Sequence, residues 1–182
     1  MNVTEEVIDQ INWHWNSQLR PRFEGLTDEE YFWEPVRDCW SLRLRGTAKA
    51  PLQGGSGDFV IEFAARPSEP APVTTIAWRL GHILVGVLGA RIASHFDGLP
   101  VDYMTYDYPA TAVDALERLD VFYAAWRDGV LGKDEAALAL PVGPAEGPWA
   151  EKPFLTLALH INRELLHHGA EIALLRDLYA WR

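Results

Sequence analysis

Apolar positions recur at steps of three and four along four stretches of the chain, and between the first two the pattern dissolves. The first stretch runs from about Thr4 to Leu19, with Ile8, Ile11 and Trp15 on one side. Thr4 is the candidate cap, Glu5 and Glu6 occupy the first turn, and Pro21 ends the helix. A short piece from Thr27 to Trp33 opens with the capping-box pattern Thr27-Asp28-Glu29-Glu30 and stops before Pro35. The second long helix starts at Thr74 or Thr75 and runs to about Phe96. It is apolar nearly all round and should therefore be buried. The third, roughly Thr111 to Val130, carries the seam Ala112, Leu116, Leu119, Tyr123, Trp126 and Val130. The last runs from Phe154 to about Tyr179. Four such segments predict an all-α four-helix bundle.

Ser41 to Val73 follows a different pattern. Gly54-Gly55-Ser56-Gly57 is a turn signal, Asp58 to Phe63 suits a short strand or hairpin arm, and Pro67, Pro70 and Pro72 make the exit extended. This irregular insertion is a candidate lid. The chain has 182 residues, enough for one domain over 1–182 with a sizeable core. Eight tryptophans supply flat side chains for gaps between helices and for a pocket wall.

A formal net charge of −10 disfavours nucleic-acid and anionic-lipid partners. Arg43, Arg45 and Lys49 form the densest basic run, which reads as a solvated loop. With one cysteine, Cys39, there is no internal disulfide, and no basic neighbour marks it as a nucleophile. Residues 1–19 lack a basic-then-apolar signal pattern, and the apolar run Ile83 to Ala90 is too short to span a bilayer. The expectation is a cytoplasmic protein with no membrane partner.

The last helix carries the chemistry. Its inward seam reads Phe154, Leu157, Ile161, Glu164, His168, Glu171, Leu175, Leu178: apolar at the ends, Glu-His-Glu in the middle. A buried carboxylate costs several kcal/mol unless it is paired, and a metal ion is one such partner. Glu164 and His168, four apart, lie on one helix face and can both reach one ion. His82, in the middle of the most apolar helix, is the best third ligand from elsewhere. The competing reading is a hydrogen-bonded core histidine beside a Glu164–His168 pair bridged to Arg79 or Arg163. His160 is an alternative ligand to Glu164. His167 lies to the side of the seam, and His14 and His95 suit surface or cap positions.

Thr74-Thr75-Ile76-Ala77-Trp78-Arg79-Leu80-Gly81-His82-Ile83 resembles the second-helix signature of the DinB/YfiT-like superfamily, and Glu164 to Ile172 resembles its last-helix motif. Trp33-Glu34-Pro35, Cys39-Trp40-Ser41 and Leu175 to Tyr179 are similar to a branch of uncharacterised members. The resemblance implies an up-down-down-up bundle. It also implies a divalent metal bound by the second and last helices, with three histidines in the commoner pattern. Glu164 replaces one of them, as in the His-Glu-His set of mycothiol-dependent maleylpyruvate isomerases. Such a set suits zinc or nickel foremost, and also iron or manganese.

Members are often dimers, so a homodimer is expected. Several transfer low-molecular-weight thiols such as mycothiol or bacillithiol to small electrophiles. A thiol transferase or isomerase is therefore the leading expectation, with a thiol cosubstrate and Glu171 orienting a ligand or shuttling a proton. A metal-dependent hydrolase and a non-catalytic, metal-stabilised bundle binding a small molecule or a partner protein are the rivals.

Overall fold

The computed structural model describes residues 2–66 and 69–182. Most of the chain is helical, with one small sheet. Helix α1 (Val3–His14) continues as a π-helical stretch, Trp15–Leu19, and a 3-10 turn, Arg20–Phe23. Short α2 (Asp28–Tyr31) follows, then strands β1 (Leu42–Leu44), β2 (Leu52–Gly54) and β3 (Phe59–Phe63). Helix α3 (Ile76–His82) passes through a π-helical stretch, Ile83–Gly89, into α4 (Ala90–His95). Helix α5 (Ala112–Leu131), short α6 (Glu135–Ala139), a 3-10 turn (Pro144–Trp149) and α7 (Phe154–Ala180) complete the order.

The long helical segments share one core. All six seam positions of α5 are buried, and Trp126 is fully enclosed. Trp15 stacks on Tyr123 at 3.8 Å between ring centres, tying the π-helical stretch that follows α1 to α5. Asn162 of α7 donates to the Val7 carbonyl of α1 at 3.0 Å. Ile76–His95 is one helix of 20 residues, longer than the apolar run inside it, and by length and composition it could cross a membrane. More than half of its apolar window is instead buried inside the fold, as in a core helix.

Several local expectations change. Asn2, not Thr4, caps α1, because the buried Thr4 hydroxyl donates to the Lys133 carbonyl at 2.8 Å. Thr27 does cap α2, accepting from the Glu30 N–H, but Glu30 does not return the bond. Its buried carboxylate forms a two-point pair with Arg176 of α7, at 2.7 and 3.2 Å. A charged fork outcompetes a solvent-accessible N–H. Leu178 is exposed, since Leu175 is the last core residue of α7 and the helix runs past the core. The His95 side chain is nearly enclosed and donates to Glu146 at 3.0 Å, so it is not a surface residue. That bond, with help from Arg91, holds the Glu146 carboxyl below its ordinary range.

The insertion is more than a hairpin. Its three strands form an antiparallel sheet in the order β1-β3-β2. Pro67 lies outside the described residues. The organising group is Glu62, whose side chain is 1% exposed. It accepts from the N–H groups of Ser41, Lys49 and Ala50 and from Arg43 Nε. Arg43 is therefore an enclosed structural cation, paired also with Glu34, and not part of a solvated run. Cys39 is buried and donates to the Val36 carbonyl, and burial pushes its thiol up.

The sheet in turn carries a distant loop. Gly55 and Ser56 donate to the carbonyls of Met104 and Tyr106 at 3.1 and 3.0 Å. At Gly54 a Cβ would collide with the Tyr103 carbonyl, so only glycine allows this approach.

Candidate metal centre

Helices α3 and α7 meet at two imidazoles. The His82 and His168 rings lie 4.7 Å apart, edge to face. Glycines lie close to both rings. A Cβ at Gly169, next to His168, would collide with Leu19 in the π-helical stretch that follows α1. A Cβ at Gly86 would collide with the Tyr103 hydroxyl, one turn beyond His82.

Each ring is held through its Nδ1. His168 Nδ1 is 2.8 Å from Glu171 Oε2. An ionised carboxylate only accepts, so the proton sits on Nδ1 and the lone pair on Nε2. Glu171 is steadied by Arg79 at 3.0 Å. Arg79 also lies 3.5 Å from His168 Nδ1, a longer contact that two donors cannot make a bond. His168 Nε2 is directed to the other side, 3.4 Å from Glu164 Oε2.

The His82 ring sits between two aromatics. Trp78 stacks at 5.4 Å and 19°, and Tyr103 at 6.2 Å and 15°. Tyr103 also bonds His82 Nδ1 at 2.6 Å. Trp78 is pinned by its Nε1–H to the Glu62 carbonyl at 2.7 Å. Both aromatics therefore hang from the sheet. Burial, with His168 and Arg79 nearby, pushes His82 down to about 3, so the ring is neutral across the physiological range. Burial also lowers His168, against the pull of Glu171. Neutral imidazole is the form that binds metals.

The structure thus places the expected residues as follows. His168 stands between the other two expected ligands, 4.7 Å ring to ring from His82 and, through Nε2, 3.4 Å from Glu164. Glu171 lies behind the ring, where a carboxylate orients a ligand and raises its basicity. His160 is one turn from Glu164, 3.4 Å away, with its Nδ1 accepting from Arg163 at 2.6 Å.

A second set was not legible as such. His167, His168 and Glu171 present donor atoms within 4.8 Å of one another and could hold an ion. His167, whose side chain is 62% exposed, reaches Glu171 at 3.4 Å. His168 is common to both sets, facing one with Nε2 and the other with Nδ1. Tyr103 was also missed. It lies in a loop 21 residues from His82 and no periodicity connects the two.

The fit to a divalent cation is good in its donor chemistry. The two imidazoles are pushed toward the neutral form by burial, a partly buried carboxylate lies beside one of them, and each ring has an independent partner fixing its orientation. Tyr103→Phe is expected to weaken metal binding by roughly 10–100-fold, the usual size of an outer hydrogen-bond loss. Chelator competition would measure this, and an unchanged affinity would show that the phenol does not orient His82.

Among curated proteins and solved structures, none matches the chain. A family does: residues 10–172 match the DinB superfamily, across most of the chain and both helices of the centre. The protein belongs to the DinB superfamily.

Proposed function

We propose that the chain is a metal-dependent enzyme that joins a low-molecular-weight thiol to, or isomerises, a small electrophilic substrate. It would fold as one domain of residues 1–182, an up-down-down-up four-helix bundle carrying the sheet as an insertion. In this reading His82, Glu164 and His168 hold the ion, with zinc or nickel foremost and iron or manganese as alternatives. One observation carries the proposal: both imidazoles are tied through Nδ1, leaving Nε2 as the ring nitrogen available to a ligand.

Three protein ligands leave a position open, the mark of a catalytic site. A divalent cation there would supply thiolate at neutral pH by lowering the pKa of a bound thiol. The chain's own groups then have defined tasks. Glu171 holds the proton on His168 Nδ1, Arg79 holds Glu171, and Tyr103 with Trp78 fixes the His82 ring. Glu164 balances the charge of the ion inside the fold. The expected setting is cytoplasmic, as a homodimer, with a small-molecule substrate and neither nucleic acid nor membrane as partner.

The test is turnover of monochlorobimane with a panel of thiols. A carbon–sulfur bond forms, the carbon–chlorine bond breaks, chloride departs, and the thiol proton passes to solvent. Activity requiring both thiol and metal, and absent from His168→Ala, supports the enzyme. Silence across the panel with metal present favours a metal-stabilised binding protein.

A further inference from the structure

A pocket of about 470 Å³ lies between α4, the 3-10 turn Pro144–Trp149 and the first half of α7. That volume falls within the range of small-molecule sites. Its lining reverses the sign of the chain. Arg91, Lys152 and Arg163 are cationic, His160 is a further nitrogen donor, and Glu146 is the one acid among the lining residues. Glu146 is already committed, at 3.1 Å to Arg91 and 3.0 Å to His95. In a protein of net charge −10, three cations around one cleft with a single satisfied acid make a local positive field.

The donors are not exhausted. Arg91 uses Nη1 on the Gly86 carbonyl and Nη2 on Glu146, while its Nε is buried without a partner among the described residues. Arg163 is 70% exposed; its Nη2 donates to His160 Nδ1 at 2.6 Å and lies 3.8 Å from Glu164, and its Nη1 and Nε make no hydrogen bond among the described residues. The same lining includes Trp149 and Leu159, both largely exposed although their chemistry favours burial. A flat apolar surface beside several cations is the complement of an organic anion.

We propose that this pocket binds a small organic carboxylate with a flat apolar body. The carboxylate lies among Arg91, Lys152 and Arg163, and the body lies against Trp149 and Leu159. The pocket adjoins the candidate metal centre along α7. His160 is 3.4 Å from Glu164, and the Gly86 carbonyl that holds Arg91 lies one turn beyond His82. Binding stands on the pocket alone; that the bound carboxylate is the electrophilic substrate rests on the function proposed above.

Calorimetry on the full chain tests this with 3-phenylpropionate, its neutral amide and inorganic phosphate, in the wild type and in a Lys152→Gln/Arg163→Gln variant. Both substituted side chains are exposed, so the fold is expected to be retained, as an unchanged melting temperature would verify. The acid should bind at least about tenfold more tightly than the amide or phosphate, and the variant should lose that advantage while its affinity for the amide stays the same. Equal affinity for acid and amide, phosphate binding as tight as the acid, an unaffected variant, or no acid binding at millimolar concentration would each overturn the proposal. Metal content, assayed in the same samples, separates the two readings. Anion binding without metal leaves the pocket standing and removes the enzyme, and metal without anion binding does the reverse.

Discussion

His82→Ala is expected to abolish stoichiometric metal binding, whereas His167→Ala leaves it intact. The two substitutions separate the donor sets that share His168. On the Nδ1 side, His167 and Glu171 are close, but the 2.8 Å bond to Glu171 already occupies that nitrogen with a proton. His167 is mostly in water, where holding an ion competes with hydration. On the Nε2 side, Glu164 lies 3.4 Å from that nitrogen, the His82 ring stands edge to face with the His168 ring at 4.7 Å, and burial lowers His168 toward the neutral form. Losing one of three ligands there should weaken binding beyond the roughly 10–100-fold of an outer-partner change. Elemental analysis of both variants decides. Metal lost from His167→Ala and kept in His82→Ala would move the site to the Nδ1 side.

Glu62→Ala is expected to destabilise the fold by about 3–5 kcal/mol, the usual result of removing one member of a buried ion pair. It would leave Arg43 with half its compensation, and the N–H groups of Ser41, Lys49 and Ala50 without their acceptor. Urea unfolding measures the loss. The effect should reach the metal as well, because Trp78 and the loop bearing Tyr103 both hang from the sheet that Glu62 organises. A loss below about 1 kcal/mol, no more than a typical neutral hydrogen bond contributes, would show that the sheet does not depend on this carboxylate.

The long helices were legible from their apolar periodicity, and two of them from boundary signals as well. Thr75 and Thr111 cap α3 and α5 as their positions suggest, and the α5 seam is buried throughout. Glu164, His168 and Glu171 stand out as polar residues at core spacing on a regular helix, yet only His168 is buried; the two carboxylates lie at the edge of the core, 26% and 30% exposed. His82 could be singled out as an ionisable group in an apolar run. What escaped notice depends on contacts between distant parts of the chain. Glu62 falls inside the short stretch Asp58 to Phe63, where nothing in the pattern sets it apart, yet it is among the least exposed of the described residues. Glu146 and His95 become partners only when the 3-10 turn folds against α4. The sheet itself, three short strands of three to five residues, offers too few periods to be read from alternation.

The π-helical stretch Ile83–Gly89 lies between His82 and Arg91 on one continuous helix. Each residue advances an ordinary helix by about 100° around its axis, and a π turn accommodates one more residue before the chain comes round. The stretch therefore acts as an angular spacer, setting how far the cation that lines the cleft is rotated from the imidazole of the candidate centre. Without that widened turn, the same amino acids in the same order would aim those two groups in different relative directions.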